Sequence, residues 1–465
     1  MKKYLVLLLI LGMYNINYTK EEGVEVKEEK TTTVVEVKKE EQKSEENKQE
    51  EKKEEVKVEE KKNEVIKEVE TDEKPQKKEE KSQFNYIQKF DNLEENVTLN
   101  LKFDKYFDKN LNRFAYTKIT TNIRNLPSTK GTKVMGSIKP GTRLPLLGII
   151  KGNDGKEWLE VIYKEKKHYL YAGNAKVRGF NWQKAIEKAN KINAFIVSAN
   201  KAKKDIYFLD SYVSLNTETD GKKDKFGNAA NQSIKAYFNN NKEYINLPDR
   251  SLVTLEKQDD KYVYIKTLSY GDEIYAVPKG HIRRFKKANV NKLVDKFIYI
   301  DRDSQTQVTI ERNKNTNVYN VNAVGYITTG ITKGVGFVTP YGDFLVAYTK
   351  PVMAYASDYE KEPILNSKGE KIGEKPIVIG DARYAIRFSG GGYLHGIPST
   401  FEPKENRDAR KRVTASKLGT IPLSHKCVRN EDDVIEHLYR WVNGKNKIQK
   451  NGFTYPEENV IVIVD

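Results

Sequence analysis

Cysteine is almost absent: Cys427 is the single one among 465 residues. An internal disulfide is therefore excluded, and so is a zinc site built from paired Cys-x-x-Cys motifs. Histidine is scarce as well, at five, and no His-Glu-x-x-His segment occurs, which removes a common metalloprotease pattern. No metal or other cofactor is expected. Long apolar runs are also missing. The N-terminal run at 4–13 covers ten residues, about half of the roughly 20 that cross a bilayer. Behind Met1-Lys2-Lys3 it has the positive start and short apolar centre of a secretory signal, so residues 1–19 read as a signal peptide or signal anchor. No small-x-small cleavage site follows, which leaves cleavage open. Export is the expectation, to a periplasmic or wall-associated position. In an oxidising compartment a lone thiol is either used or buried, and composition does not choose between the two.

Charge, by contrast, is plentiful and unevenly placed. Residues 20–82 are mostly Lys, Glu, Val, Thr and Gln, with 17 basic and 23 acidic side chains. Such a stretch cannot bury enough apolar surface to offset its ordering entropy, and it reads as a solvated tether spanning roughly 45 Å as a flexible coil. Beyond it, residues 83–465 hold 63 basic against 43 acidic residues, a balance of +20. A surface of that sign favours polyanions. For an exported protein these are envelope polymers or a membrane surface, and no nucleic acid is expected as a partner.

A chain of this length exceeds one hydrophobic core, and its pattern divides accordingly. Between 111 and 178, β-like runs at 119–124, 134–138, 143–149, 158–163 and 168–171 are broken by turn residues such as Lys139-Pro140-Gly141 and Gly152-Asn153-Asp154-Gly155. This reads as a small barrel. The segments Asn122-Ile123-Arg124-Asn125-Leu126-Pro127-Ser128, Val134-Met135-Gly136-Ser137-Ile138 and Trp158-Leu159-Glu160-Val161 resemble bacterial SH3-like wall-targeting domains. A looser copy is expected over 207–285, because Tyr262 and Tyr275 repeat the 13-residue interval between Trp158 and Tyr171. Between the copies, Trp182, Ala185, Ile186, Ala189, Ile192 and Phe195 fall on one face of a connecting helix. The division is then a first module with its N-terminal extension at 83–179, and the helix with a candidate second module at 180–289. Trp158, Tyr163, Tyr169, Tyr171, Tyr262 and Tyr275 read as barrel core or as a ligand groove, with strand spacing favouring core.

From 290 to 465 a larger β-rich unit is expected, with strands at 297–300, 307–311, 318–326, 344–348, 385–388 and 460–464. One helix stands out at 431–442, with Asn430 as N-cap, acids Glu431, Asp432 and Asp433 in its first turn and Gly444 beyond its end. The fold class is thus mainly β and multidomain: one or two small SH3-like barrels, then a β-rich catalytic domain with one prominent helix after the cysteine.

An unperturbed thiol is only a few per cent thiolate at neutral pH, so nucleophilic use needs a base or a positive environment. Cys427 lies three residues before the expected N-cap, where the helix terminus favours the anion while Asp432 and Asp433 blunt it. Two histidines are candidate bases: His395, in Leu394-His395-Gly396, and His425, two residues before the sulfur.

The run Ile386-Arg387-Phe388-Ser389-Gly390-Gly391-Gly392-Tyr393-Leu394-His395-Gly396, followed by Ser424-His425-Lys426-Cys427-Val428-Arg429, resembles the paired signature of the L,D-transpeptidase catalytic domain, the YkuD-like family. Upstream, Thr339-Pro340-Tyr341-Gly342-Asp343-Phe344, preceded by Gly336, is similar to a turn and strand of that domain. The resemblance implies Cys427 as nucleophile, His395 as general base and the Gly396 carbonyl as the group orienting the imidazole. It implies attack on a peptidoglycan tetrapeptide stem, release of terminal D-alanine and transfer to the amine of a neighbouring stem. Backbone donors near His425 and Lys426 would stabilise the oxyanion, and Arg429, Tyr393, Gly391, Gly392 and Ser424 would meet substrate. Lys426 departs from the family pattern, which has glycine there. With positive φ a lysine would be strained; with negative φ it adds a cation beside the sulfur.

Residues 402–412 are expected as an exposed loop. A cysteine peptidoglycan hydrolase, and a wall-binding scaffold with weakened catalysis, are the alternatives. A cysteine endopeptidase order is disfavoured because only His437 follows Cys427.

Overall fold

A computed structural model of the chain describes residues 84–90, 98–103, 112–211, 223–229, 233–238, 240–290, 292–331 and 337–465. The expected signal and tether, and Gly336, lie outside the described residues. Two strands come first, β1 (Asn85–Lys89) and β2 (Thr98–Phe103), and they join different sheets. Seven more follow: β3 (Arg113–Thr117), β4 (Thr121–Arg124), β5 (Val134–Ile138), β6 (Arg143–Lys151), β7 (Glu157–Tyr163), β8 (Lys166–Tyr171) and β9 (Ala175–Gly179). In β6 the side chains alternate between buried and half-buried positions, which puts Leu144, Leu146 and Ile150 in the core. The Gly155 turn before β7 has φ 76°, a conformation that glycine adopts without a Cβ clash.

After helix α1 (Trp182–Lys201) come β10 (Ile206–Leu209), β11 (Ser233–Phe238), β12 (Glu243–Pro248), β13 (Leu252–Gln258), β14 (Tyr262–Thr267), β15 (Ile274–Pro278) and β16 (Phe285–Lys287). The first sheet runs β5-β4-β8-β7-β6-β3-β9 with β1 added beside β6, and the second runs β12-β11-β15-β14-β13-β10-β16. The two orders match position for position, and each sheet has a 3-10 turn before its last strand. Among the described residues neither order closes into a ring, so the expected barrels are found as open sheets. Registers differ as well: Trp158 pairs with Tyr171, whereas Tyr262 pairs with Pro278 and Tyr275 with Ile265. The 13-residue interval thus marks corresponding strands but not corresponding pairs. Trp158, Tyr169 and Tyr275 are core residues, while Tyr171 is exposed and Tyr163 and Tyr262 are half-buried.

The remaining chain forms β17 (Lys296–Asp301), β18 (Thr306–Arg312), β19 (Tyr319–Tyr326), β20 (Gly342–Leu345), β21 (Tyr348–Leu365), β22 (Lys371–Ser389), β23 (Gly392–His395), β24 (Ser399–Thr400), α2 (Lys404–Lys417), β25 (Val428–Arg429), α3 (Asp432–Asn443) and β26 (Val460–Val464). A six-stranded sheet runs β2-β19-β18-β17-β26-β20. Period-2 alternation gives it two apolar faces. Phe297, Tyr299, Ile461 and Ile463 pack with Trp182, Ile186, Ile192 and Ile196 of α1, while Ile298, Ile300, Val462 and Val464 pack with Val434, Ile435, Leu438 and Val442 of α3. The expected connecting helix is therefore a core element of this sheet, each of its large apolar side chains contributing about 1.5–3 kcal/mol on burial. Among the described residues no helix is long and apolar enough to cross a membrane.

Three local expectations are corrected. The strand expected at 385–388 is the end of a long hairpin, β21–β22, whose outer part is charged and carries Pro363 and Pro376, so its sequence lacks the alternation of a half-buried strand. Residues 404–417 form a helix with no buried residue, where a loop was expected. Glu431, rather than Asn430, occupies the N-cap of α3.

Candidate active site

Strands β23 and β25 pair in parallel, with Leu394 opposite Val428 and His395 opposite Arg429. Leu394 and Val428 face the apolar core shared with α3. Alternation then turns Tyr393 and His395 to the other face, together with Cys427 and Arg429. Residues 34 apart in sequence are brought side by side in this way, and the tight Gly390-Gly391-Gly392 turn feeds β23 into place. Gly391 has φ 64°, and a Cβ on Gly392 would stand 3.2 Å from the Phe388 ring.

Cys427 is fully buried, and its thiol donates to the Gly391 carbonyl across 3.6 Å. Burial pushes the thiol up to about 12, against the opposing pull of a Tyr393 backbone hydrogen bond and the charges of Arg429 and Lys426. His395 is fully buried too. Burial, and then the Arg429 charge, hold its imidazole down at about 3, with the Gly396 carbonyl pulling the other way. The resting pair is thus thiol and neutral imidazole, and desolvation outweighs the helix terminus expected to favour thiolate.

The Gly396 carbonyl lies 2.6 Å from His395 Nδ1. A carbonyl can only accept, so Nδ1 carries the proton and Nε2 is the basic nitrogen. The Tyr355 hydroxyl, from the hairpin, is 3.1 Å from Nε2 and 3.2 Å from Nδ1. Burial, and then the Cys427 charge, raise this phenol well above its ordinary value, and Tyr355 shares a buried cluster with Cys427. Tyr355 and Tyr348, whose hydroxyl is 3.0 Å from that of Tyr393, form the aromatic wall of the site.

The support beneath the site is built from backbone contacts. The Gly396 N–H donates to the Arg383 carbonyl at 2.9 Å and Ile397 N–H to Asp432 Oδ1 at 3.1 Å, while Lys411 pairs with Asp432 Oδ2 at 2.8 Å. A Cβ on Gly396 would collide with Asp432 Oδ1. Asn430, released from capping duty, accepts from Gln307 Nε2 at 2.9 Å, and its N–H donates to the His395 carbonyl at 2.8 Å.

The other expected site residues divide. Lys426 does not take positive φ, so no backbone strain arises. Its ammonium donates to the Gly390 carbonyl at 2.5 Å, and its own carbonyl accepts from Thr339 Oγ1 at 2.7 Å. Arg429 is half-buried and its backbone pairs with Thr328; among the described residues its Nε has no acceptor and its side chain is in no ion pair. His425 packs edge-on against Phe337, and its carbonyl accepts from Phe337 N–H at 2.7 Å, a supporting position. Ser424 bonds through its backbone to Thr329 and Ile331, and its hydroxyl is buried without a partner among the described residues. His437 lies on α3, 2.9 Å from Asn322 Oδ1. Among the described residues no group of three or more His, Cys, Asp and Glu is placed to hold a metal ion. Sequence reasoning missed Tyr355, Tyr348 and Asp432 as site members. Thr339 was within a quoted motif, but its bond to Lys426 joins positions 87 residues apart.

The family model of the YkuD L,D-transpeptidase catalytic domain matches residues 295–462. Among solved structures, an L,D-transpeptidase from Mycobacterium smegmatis is similar at 13% identity over 66% of this chain and 90% of that one, with a TM-score of 0.24. An L,D-transpeptidase 3 from Mycobacterium tuberculosis, with a faropenem-derived adduct, is 13% identical over 46% of this chain and 92% of that one, with a TM-score of 0.23. An L,D-transpeptidase from Stackebrandtia nassauensis is 17% identical over 40% and 61%, with a TM-score of 0.17. TM-scores of this size carry no weight for function. No curated protein matches.

Proposed function

We propose, from the premise that residues 295–462 belong to the L,D-transpeptidase catalytic-domain family, that this chain cross-links peptidoglycan stem peptides through an acyl-enzyme on Cys427. The observation that carries the reading is the parallel pairing of β23 with β25, which sets His395 and Cys427 on one face with His395 Nδ1 held by the Gly396 carbonyl.

The thiol proton passes to His395 Nε2 as sulfur adds to the carbonyl carbon of the diamino acid in a tetrapeptide stem. The C–N bond to terminal D-alanine then breaks, and the departing amine takes the proton from the imidazolium. The amine of a second stem attacks the thioester, gives a proton to His395 and returns the thiol. Proton transfer within a buried, neutral pair avoids isolating a thiolate, which burial disfavours. Backbone N–H groups at 425–427 stabilise the oxyanion. Arg429, in no ion pair among the described residues, takes a stem carboxylate in a bidentate bond. Lys426 supplies the cation that eases ionisation as sulfur attacks.

The matching strand orders of 113–179 and 206–287 support reading these two stretches as SH3-like wall-targeting modules of common design. The chain would act outside the cytoplasm, with 1–19 as export signal and 20–82 as spacer. Sacculi incubated with the protein are expected to gain cross-links between diamino acids and to release D-alanine, and Cys427→Ala is expected to do neither. Identical muropeptides from both proteins would refute the reading; loss of D-alanine without new cross-links would redirect it to hydrolysis.

A further inference from the structure

Apart from the residues around Cys427, a cleft of about 610 Å³ opens between α1 and the second seven-stranded sheet. The helix lines it with Lys191, Phe195 and Ser198, which are three or four residues apart and share a face, and the strands add Glu256, Lys266 and Thr267. Lys191 is exposed and has no ion-pair partner among the described residues. Lys266 pairs at 3.7 Å with Asp272, whose side chain is wholly in solvent, a pair that water screens and a ligand easily displaces, and its charge also acts on Glu256. Glu256 accepts from Thr254 Oγ1 at 2.7 Å and pairs with Lys204, and its carboxylate retains lone pairs for a further donor. Thr267 is fully buried, and its hydroxyl has no partner among the described residues. Phe195 and Leu268 pack against the core and give the cleft an apolar floor.

This lining selects by charge. A wholly apolar ligand would strand the ammonium groups, a polyanion would meet Glu256 and Asp272, and a simple cation would meet three lysines. What fits is a short ligand carrying both signs and small apolar groups, and the volume suits a peptide of roughly three to five residues. We propose that the cleft binds a stem-type peptide, with its carboxylates on Lys191 and Lys266, its amine toward Glu256 and its methyl groups over Phe195 and Leu268. The identity of the peptide rests on the acyl-transfer reading of Cys427; the cleft adds a holding site that grips wall peptide without chemistry.

The test is calorimetric titration of a soluble tetrapeptide stem into the full chain carrying Cys427→Ala, alone and combined with either Lys191→Glu/Lys266→Glu or Ser198→Trp. Lys191 and Ser198 are exposed and Lys266 is half-buried, and circular dichroism of each variant checks that it folds. The expected result is a site that both cleft variants weaken at least about tenfold, while the same cleft substitutions in the Cys427 protein leave turnover of soluble stems unchanged. Equal binding by the parent and both cleft variants would overturn the proposal. If the cleft binds stem but the Cys427 protein shows no turnover, the cleft assignment stands and the acyl-transfer reading fails alone.

Discussion

Cys427 and His395 are both held in their uncharged forms by burial, and this sets their pH behaviour. With the thiol pushed up to about 12, thiolate is minute at neutral pH, so alkylation by iodoacetamide should rise close to tenfold per pH unit from 7 to 11. An inflection near 8.5, measured by mass spectrometry of the modified cysteine, would contradict the buried site. His395, lowered to about 3, stays neutral while the unfolded chain binds a proton near 6.5. The unfolded state therefore binds more protons between those values, and stability falls as pH drops from about 6.5 to about 3, by up to roughly 5 kcal/mol. Urea unfolding should show this slope, and His395→Asn should flatten it. Lys426→Met removes the cation and leaves the Gly390 carbonyl unpaired, so alkylation at pH 9 should slow about three- to tenfold, with about 1–3 kcal/mol lost in stability.

At the scale of elements, Asp432 joins α3 to α2 and to the loop after His395, through Lys411 and the Ile397 N–H. Asp432→Ala frees both ends, and we expect kcat for stem turnover to fall about tenfold with KM little changed, because the imidazole loses its fixed orientation. Turnover measured across a range of stem concentrations would show a raised KM instead if Asp432 touched substrate. The elements differ in how far the sequence disclosed them. Strand β26 and the start of α1 were legible because unbroken or periodic apolar residues dictate them. The cysteine and histidine segments were legible because each motif is local and dense in glycine or charge. Tyr355 was not, since a tyrosine in a charged hairpin becomes a site residue only through pairing with β22 and the approach of β23. Helix α2 escaped because it buries nothing, so no apolar stripe marks it.

Across the whole molecule, the regions are joined by polar contacts in their interior. Asp249, fully buried in the turn between β12 and β13, bonds Arg387 at 2.7 Å, and its carbonyl accepts from Ser389 at the start of the glycine turn. Arg250 donates to the Leu345 and Val346 carbonyls. On the other side Arg143 and Arg178 donate to the carbonyls that follow α2, those of Leu418, Gly419 and Thr420. Asp249→Ala removes the carboxylate bonded to the buried Arg387 guanidinium, and calorimetry should show about 3–5 kcal/mol of destabilisation. Separate early melting of the second sheet, with the rest unaffected, would show that the ion pair does not couple the regions. Arg387 stands inside a motif quoted from sequence, yet its partner is 138 residues away, so only the fold identifies it.

The repeated strand order invites treating this chain as interchangeable cassettes, but the seam at Asp249 argues otherwise. A catalytic region transplanted onto a different wall-binding partner would arrive without the Asp249 carboxylate that meets Arg387 behind its glycine turn and with the α1-facing side of its sheet bare. Successful grafts should have to carry α1 and the β12–β13 turn with them, so the heritable unit is larger than the stretch that bears the chemistry.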